Sequence, residues 1–489
     1  MQRAGAAAAG EIARRFADRL ARGVAVFAGS GNNGGDAWVV ARALVAAGVT
    51  VRVVETEPAR TDDSRAERSI AMRVLGTDPP TGAEEVVVDG VLGTGARGGP
   101  RGAAADAIAR MNALREGGAT VVALDIPSGL DATTGAFEQS VIADCTLTFG
   151  AVKRGLLIAR SRCGTIVVLD IGLDGEHASA LPALIDHRWV IEHVPAIEAE
   201  AHKGTRKKLA IVGGALGMTG AAILAGRAAM RSGIGMVRLL VADESVRVVQ
   251  EAAPELMARA WPSAGAGVGE AIGDWADVVI VGPGLGRSRE TRALVEQVFG
   301  DFGGPVLIDA DALNVFEGDA ASLGRAIGRR PAVLTPHPAE LARLVGVDVD
   351  TVLERRFEIA AEVARDLHAT VLLKGVPTVI ASPTGRQLVS AAGSATLGVA
   401  GSGDLLAGIG ATLLAQSGDP LDAGACAAWV HGKAGEIASV VHGDGGVRGV
   451  SIEHLLDAIA AAWRVHEEPP CYPVIAELQL PGARPRDRE

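Results

Sequence analysis

The chain has 489 residues, 48% of them hydrophobic and 21% charged, which excludes a disordered chain or one small module and leaves room for roughly two to four domains. Its 58 acidic and 47 basic residues give a formal charge of -11, which argues against a broad electrostatic footprint for nucleic acid or an anionic membrane. Aromatic residues are only 3% while glycine numbers 64, so the cores must be built from Ala, Val, Leu and Ile, and glycine placement carries the signal. At the start, MQRAGAAAAGE reaches acidic Glu11 too early for the apolar core of a signal peptide, so no export is expected. From Val24 to about Gly172, apolar runs (VAVFA, VTVRVVE, EVVVD, TVVALD) alternate with helical patterns. Strands apolar throughout suit a parallel sheet covered on both faces, so this half reads as a Rossmann-like, doubly wound α/β domain.

Asp174 to Ala201 lacks strong periodicity and reads as a linker. The alternation then restarts with KLAIVGG and runs through MVRLLVA, DVVIVGPG, PVLIDADAL, AVLTPHP and TVLLKG to helix-rich sequence between Gly403 and Trp463, a second α/β domain. The uncharged stretch Leu209 to Gly226 is long enough to be weighed as a membrane span, but its central glycines fit a buried strand, a glycine loop and a helix start better. The domains are placed at 1–190 and 191–465, with 466–489 a proline-rich, charged, loosely held tail. Cys145, Cys163, Cys426 and Cys471 form no CxxC pair, so reduced thiols in a cytoplasmic protein are expected rather than a zinc site or disulfides.

Three polar loops follow successive strands of the first half: GSGNNGGDA (Gly29 to Ala37), DGVLGTGARGG (Asp89 to Gly99) and DIPSGLDATTG (Asp125 to Gly135). They should converge at one sheet edge, where bare amides and a helix N-terminus can cradle a polar ligand. Asn33, Asp89, Asp125 and Ser128 supply amide, carboxylate and hydroxyl oxygens suited to a hard monovalent or divalent cation; ordinary turn chemistry is the alternative for each. These loops, with ADCTLTFGAVKRGL (Ala143 to Leu156), resemble the NAD(P)H-hydrate epimerase (YjeF N-terminal) domain over about Met1 to Gly172. The resemblance implies epimerisation at nicotinamide C6 of the hydrated cofactor. Substrate would be held by Asn32, Asn33, Gly34, Gly35, Asp36, by Gly93, Thr94, Gly95, Ala96, Arg97, Gly98, Gly99 and by Asp125, and potassium by Asn33, Asp89 and Ser128. Asp125 is chosen as acid or base, because reopening the hydrated ring requires proton transfer. The family carries a helical segment ahead of the MQRAG stretch, so the expectation is either a shortened N-terminal half or a misassigned start. Ala37 stands where the family usually has glycine, which would add a methyl where the backbone passes close to ligand.

In the second half, AGSGDLLAGIGA (Ala400 to Ala411) sets Gly401, Ser402 and Gly403 at a helix start, where their amides can form an anion hole beside Asp404. A carboxylate that takes a hydroxyl proton while amides hold phosphoryl charge suits phosphoryl transfer to a small alcohol; an N-cap without chemistry is the alternative. Together with HKGTRKKLAIVGGALGMTGA, GPGLG, DADAL, TPHPAE and LKGVPT, this resembles the ribokinase-like, ADP-dependent NAD(P)H-hydrate dehydratase domain over about His202 to Trp463. The resemblance implies that Ala221, Gly284, Gly286, His337 and Asp404 contact the hydrate while Lys374, Gly375, Val376, Pro377, Thr378 and Gly403 hold the adenine nucleotide. Glu340 is the candidate to orient a magnesium-bound water, with an exposed helix carboxylate the alternative. Arg206 and Lys207 stand where the family usually has an aromatic and a glycine, and Ser394, Gly398 and Ala400 vary the approach to GSGD.

The expectation is a bifunctional repair enzyme acting on NADHX and NADPHX, with ADP as phosphoryl donor, K+ in the first half and Mg2+ in the second. It would be a homo-oligomer with no nucleic-acid or membrane partner. The rivals are a small-molecule kinase that stops at the phosphoester and a first half that is only a binding or scaffolding module.

Overall fold

The computed structural model describes residues 1–173, 181–261 and 268–479. The chain forms two compact units, Met1–Gly175 with Glu468–Leu480, and Glu176–Glu467 with Pro481–Glu489. No helix among the described residues is long and apolar enough to cross a membrane.

The first unit holds β1 (Val24–Ala28), β2 (Val51–Glu55), β3 (Val86–Gly90), β4 (Thr120–Leu124), β5 (Cys145–Phe149) and β6 (Thr165–Leu169). They lie in the order β6-β5-β4-β3-β1-β2, all parallel. Every residue of β1, β3, β4 and β5 is buried. The reason is visible in β1: Val24, Val26 and Ala28 join a core that includes helices Gln2–Arg15 and Asn32–Ala46, while Ala25 and Phe27 join one that includes helix Ala103–Glu116. The chain runs from β1 outward to β2, then returns to place β3 on the other side of β1. That reversal opens a crevice at the carboxyl ends of β1 and β3, the ligand position in open parallel sheets.

The loosely held tail needs correction. Val474–Leu478 is a strand that pairs antiparallel with β6, and Arg15 Nη2 reaches Glu477 Oε2 at 2.5 Å. The prolines before VIAEL delimit this strand without entering it, and it covers a sheet edge that would otherwise be open. Residues 480–489 of that tail and 174–180 of the expected linker lie outside the described residues.

The second unit holds β7 (Ala183–Leu184), β8 (Lys208–Val212), β9 (Met236–Val241), β10 (Met257–Ala260), β11 (Val278–Val281), β12 (Val306–Ile308), β13 (Ala332–Leu334), β14 (Thr370–Leu373), β15 (Thr378–Ala381) and β16 (Gln387–Ser390). Their order is β10-β9-β8-β11-β12-β13-β14-β15-β16-β7, parallel except where β15 meets β14 and β16. Helices Thr219–Arg231, Ser402–Ser417, Pro420–Gly443 and Ile452–Ala462 contribute to one core, with β8 residues Leu209 and Ile211 in the same cluster. The described part of the expected linker is structured. β7 pairs with β16, and helix His187–His193, capped by Asp186, is in contact with Pro420–Gly443. Residues 181–190, expected in the first domain, therefore pack with the second unit. Leu209 to Gly226 resolves into β8, a glycine loop and the start of helix Thr219–Arg231, as the sequence suggested. The four cysteines are unpaired, and burial pushes the Cys145, Cys163 and Cys426 thiols up to about 12.

Candidate functional site

In the first unit the crevice is closed by backbone contact that only glycine permits. Gly29 N donates to Gly90 O at 3.0 Å, and a methyl on Gly29 would fall 1.9 Å from Val91 O, one on Gly34 1.8 Å from Gly29 O. The helix starts at Asn32, so Asn33, Gly34, Gly35 and Asp36 occupy its first turn. The proposed cation ligands meet around Leu92. Asn33 Nδ2 donates to Leu92 O at 2.9 Å, and Ser128 Oγ accepts from Leu92 N at 2.8 Å. Asp89, fully buried, accepts from Ser128 N at 2.7 Å and from Ser128 Oγ at 2.5 Å. Burial raises its carboxyl to about 6 despite those bonds. Asn33 Oδ1 is buried with no hydrogen-bond partner, an acceptor without a donor that fits a cation site.

Asp125 sits at φ +63, a conformation costing a non-glycine residue about 1–3 kcal/mol. Its carboxylate is paired with Lys153 and accepts from Phe149 N at 3.2 Å. Lys153 Nζ also donates to Thr148 Oγ1 and Phe149 O, both at 2.9 Å, so the ammonium is fixed on β5's carboxyl end. Lys153 escaped the sequence reading, being a lone lysine 28 residues from its partner; its place inside the FGAVKRG run was the available signal. Burial, opposed by the amino terminus and reinforced more weakly by the fields of Asp125 and Glu67, leaves Asp36 raised to about 7.

Other members of the expected set stand apart. Asn32 is exposed, its Oδ1 accepting from Thr61 Oγ1 at 2.9 Å. In the following loop Thr94, Gly95, Arg97 and Gly98 are exposed, and Gly93, Ala96 and Gly99 partly so, a rim more than a cradle. Ala37 does not carry its methyl toward a ligand: it is fully buried, and a methyl on Gly90 of β3 would meet it at 2.5 Å. The small side chain is a helix-to-sheet packing contact.

The second unit repeats the crevice between β8 and β11. Gly214 N donates to Pro283 O at 2.9 Å and Ala215 N to Gly284 O at 2.7 Å. Gly284, at φ +57, lies against Ala221, whose Cβ would be 3.2 Å from a methyl placed there, so these two expected contacts are brought together. Gly286 N is taken by Asp311 Oδ2 at 2.9 Å. Along the same edge, Asp309 after β12 accepts from Thr335 Oγ1 at 2.8 Å and from Lys374 Nζ at 3.0 Å. Lys374 follows β14, and its Nζ is 3.9 Å from Glu340 Oε2 and 3.4 Å from where a methyl on Gly403 would sit. Burial pulls the Lys374 ammonium down, but Asp309, Glu340 and Asp404 outweigh it and hold it above the ordinary lysine value. Burial, with Asp309 and Glu340 adding to it against Lys374, pushes Asp404 up to about 7. Asp309 is the residue that the sequence reading left without a role.

The helix Ser402–Ser417 starts after Gly401 at φ +92. Ser402 N already donates to Val399 O at 3.3 Å, so the expected anion hole narrows. Among the described residues no acceptor takes the amides of Gly403 and Asp404. His337 Nδ1 accepts from Ala339 N and Glu340 N, capping helix Pro338–Val345, and Glu340 Oε2 accepts from His337 N at 2.9 Å. This ties Nδ1 into the cap and leaves Nε2, on a side chain 45% exposed, as the ring's free end, 3.5 Å from Glu340 Oε1. Burial lowers His337, with Lys374 and Arg343 opposing the field of Glu340. Glu340 is 7% exposed, so the alternative of an exposed helix carboxylate falls. In the Lys374–Thr378 loop, Arg356 Nη1 donates to Val376 O at 2.7 Å and to Pro377 O at 3.2 Å, Thr378 Oγ1 turns to Gly375 O at 3.0 Å, and Val376 is exposed. Lys207 adopts φ +73, the left-handed region where glycine is at ease and other residues pay roughly 1–2 kcal/mol.

Two family models match: YjeF-related protein N-terminus over residues 1–155 and NAD(P)H-hydrate dehydratase over 209–459. The chain is 36% identical to the bifunctional NAD(P)H-hydrate repair enzyme Nnr of Moorella thermoacetica, covering 96% of this chain and 92% of that protein. It is 34% identical to the enzyme of the same name from Escherichia coli, covering 94% and 88%. Among solved structures, the ADP/ATP-dependent NAD(P)H-hydrate dehydratase of Bacillus subtilis, co-crystallised with ATP and Mg2+, aligns with TM-score 0.50 at 28% identity over 58% of this chain and 98% of that one. With two glycine-closed crevices, each at its own sheet's switch point, and relatives that span both units, the chain belongs to the family of bifunctional NAD(P)H-hydrate repair enzymes.

Proposed function

We propose that the second unit dehydrates the S form of hydrated NADH and NADPH at the expense of ADP, and that the first unit interconverts the R and S epimers. The observation that carries the reading is the Gly403–Asp404 helix start beside Lys374 and Asp309 at the carboxyl edge of the sheet. A carboxylate with pKa about 7 accepts the C6 hydroxyl proton near neutral pH. The free amides of Gly403 and Asp404 and the Lys374 ammonium receive the charge of the transferring phosphoryl group. The C6 oxygen displaces AMP from the β-phosphorus. Loss of the C5 proton as the C6–O bond breaks then expels phosphate and restores the double bond. Hydroxide leaves poorly and phosphate well, which is the chemical reason for consuming a nucleotide. A magnesium ion bound with the nucleotide would supply positive charge to its phosphates, and Glu340 is the carboxylate that would hold one of the ion's waters.

In the first unit, the Asp125–Lys153 pair takes the C6 hydroxyl proton as the C6–N1 bond breaks to give an open-chain aldehyde and a proton is delivered to the ring nitrogen, and attack of that nitrogen on the other face of the aldehyde reverses both transfers. Asn33 Oδ1, Asp89 and Ser128 would hold potassium, which supplies a fixed positive charge beside the substrate. A cytoplasmic location and a homo-oligomer complete the reading. The test is incubation of the purified chain with mixed hydrates and either ADP or ATP, with and without KCl. Recovery of reduced-nicotinamide absorbance with AMP and phosphate as products is expected. A phosphoester that accumulates instead would overturn the dehydratase assignment, and an unchanged R to S ratio without nucleotide would overturn the epimerase.

A further inference from the structure

Helix Pro420–Gly443 holds a histidine that the reaction above does not use. His431 is 8% exposed, and its Nε2 lies 3.1 Å from Oγ of Ser402, itself 4% exposed. Ser402 is the first residue of the helix whose next two amides are free and whose third residue is Asp404. Burying two polar side chains only to satisfy each other contributes little to stability, because an apolar pair of the same shape does as well. Burial, with the field of Lys374 added, drives the imidazole down to about 4. His431 is therefore neutral at physiological pH and acts as a fixed hydrogen-bond partner and not as a proton carrier.

The same stretch of helix grips the whole segment that leads to the helix start. A methyl on Gly432 would fall 2.6 Å from the Ala392 carbonyl. Thr396 Oγ1 donates to Gly435 O at 3.0 Å. Glu436, held by Lys433 at 2.9 Å, accepts from Gly393 N at 2.8 Å. Segment 392–402 is thus pinned at 392, 393, 396 and, through His431, at 402. The last contact is the one adjoining the reactive groups, and the first turn of a helix is where backbone frays most readily.

We propose that His431 is a positioning residue for phosphoryl transfer: through Ser402 it fixes the helix start that aims the Gly403 and Asp404 amides and the Asp404 carboxylate. The proposal rests on the reading of the second unit given above. A displacement of about 1 Å at reacting groups costs on the order of 10²-fold in rate. His431→Leu is therefore expected to lower kcat of the full chain roughly 10- to 100-fold while KM for hydrate and for ADP moves less than about threefold. His431→Gln, whose amide reaches the Nε2 position, should recover kcat to within about threefold, and Ser402→Ala should reproduce the loss. The double variant Ser402→Ala/His431→Leu should be no slower than either single one, because both remove one contact. Hydrogen exchange over residues 399–406 reads the positioning itself, independent of which alcohol the unit phosphorylates: faster exchange confined to that segment is expected in Ser402→Ala and His431→Leu. Wild-type exchange there in Ser402→Ala overturns the proposal even if the dehydratase reading stands, and so does wild-type kcat in that variant or multiplicative losses in the double variant. An inactive wild-type chain with the expected exchange pattern overturns the dehydratase reading and leaves the positioning intact. If His431→Leu does not fold, Ser402→Ala and His431→Gln carry the decision.

Discussion

The two crevices share their construction and differ in charge. The strand order reverses beside β1 in one and beside β8 in the other, and glycine backbone closes the gap, Gly29 to Gly90 in the first and Gly214 to Pro283 in the second. The first then gathers a neutral amide, a hydroxyl and an isolated carboxylate around Leu92. The second sets a lysine among three carboxylates, Asp309 at a strand end and Glu340 and Asp404 in the first turns of two helices. An isomerisation needs a proton relay and little else; phosphoryl transfer must handle several negative charges at once. One topology serves both because it fixes where ligands bind and leaves the chemistry to the loops.

Asp404→Asn is the strongest way to break that contrast. It should cut dehydration by roughly 10²- to 10⁴-fold, measured as recovery of reduced-nicotinamide absorbance, with epimer interconversion unchanged. The same variant gives a stability signature. Because burial raises the folded pKa of Asp404 to about 7 from 3.8, the folded state holds a proton that the unfolded state has lost between those values. The wild type is therefore penalised as pH rises through that window. Urea unfolding should show Asp404→Asn gaining on wild type between about pH 4 and pH 7 and keeping a constant lead above it. A loss of epimerase activity in this variant would show that the two sites are not independent.

Lys153→Met tests the other site. Without the ammonium, Asp125 faces the ring alone, and epimer interconversion followed by chiral chromatography should slow about 10²-fold with dehydration of S hydrate unaffected. The smallest effect expected is that of Ala37→Gly. It should cost roughly 1 kcal/mol of stability through helix propensity and lost packing and leave KM for the hydrates unchanged. A lowered KM would return that methyl to the ligand.

The α/β alternation and the glycine loops were readable because buried parallel strands and tight crevices each leave a local mark: VAVFA, GSGNNGG and GSGD announce themselves within ten residues. Lys153, Asp309 and His431 were not readable as partners. Each acts across 28 to 65 residues of sequence, a separation that only the strand order converts into contact. The direction of the Ala37 methyl was not readable because a helix start has two sides and sequence does not say which faces the sheet. VIAEL was missed because its prolines pointed to a tail, when the decisive fact was an edge of β6 awaiting a neighbour.

That final strand makes the first unit discontinuous: the polypeptide begins there, builds the other unit, and comes back to finish. No single cut can separate the two activities with both folds intact. A gene fragment ending near residue 173 would lack Val474–Leu478 and the Arg15–Glu477 contact, and would expose β6 to whatever strand it next encountered. Dissecting the enzyme therefore calls for a splice that joins residue 173 to 468 through a short linker, or for the closing segment added as a peptide.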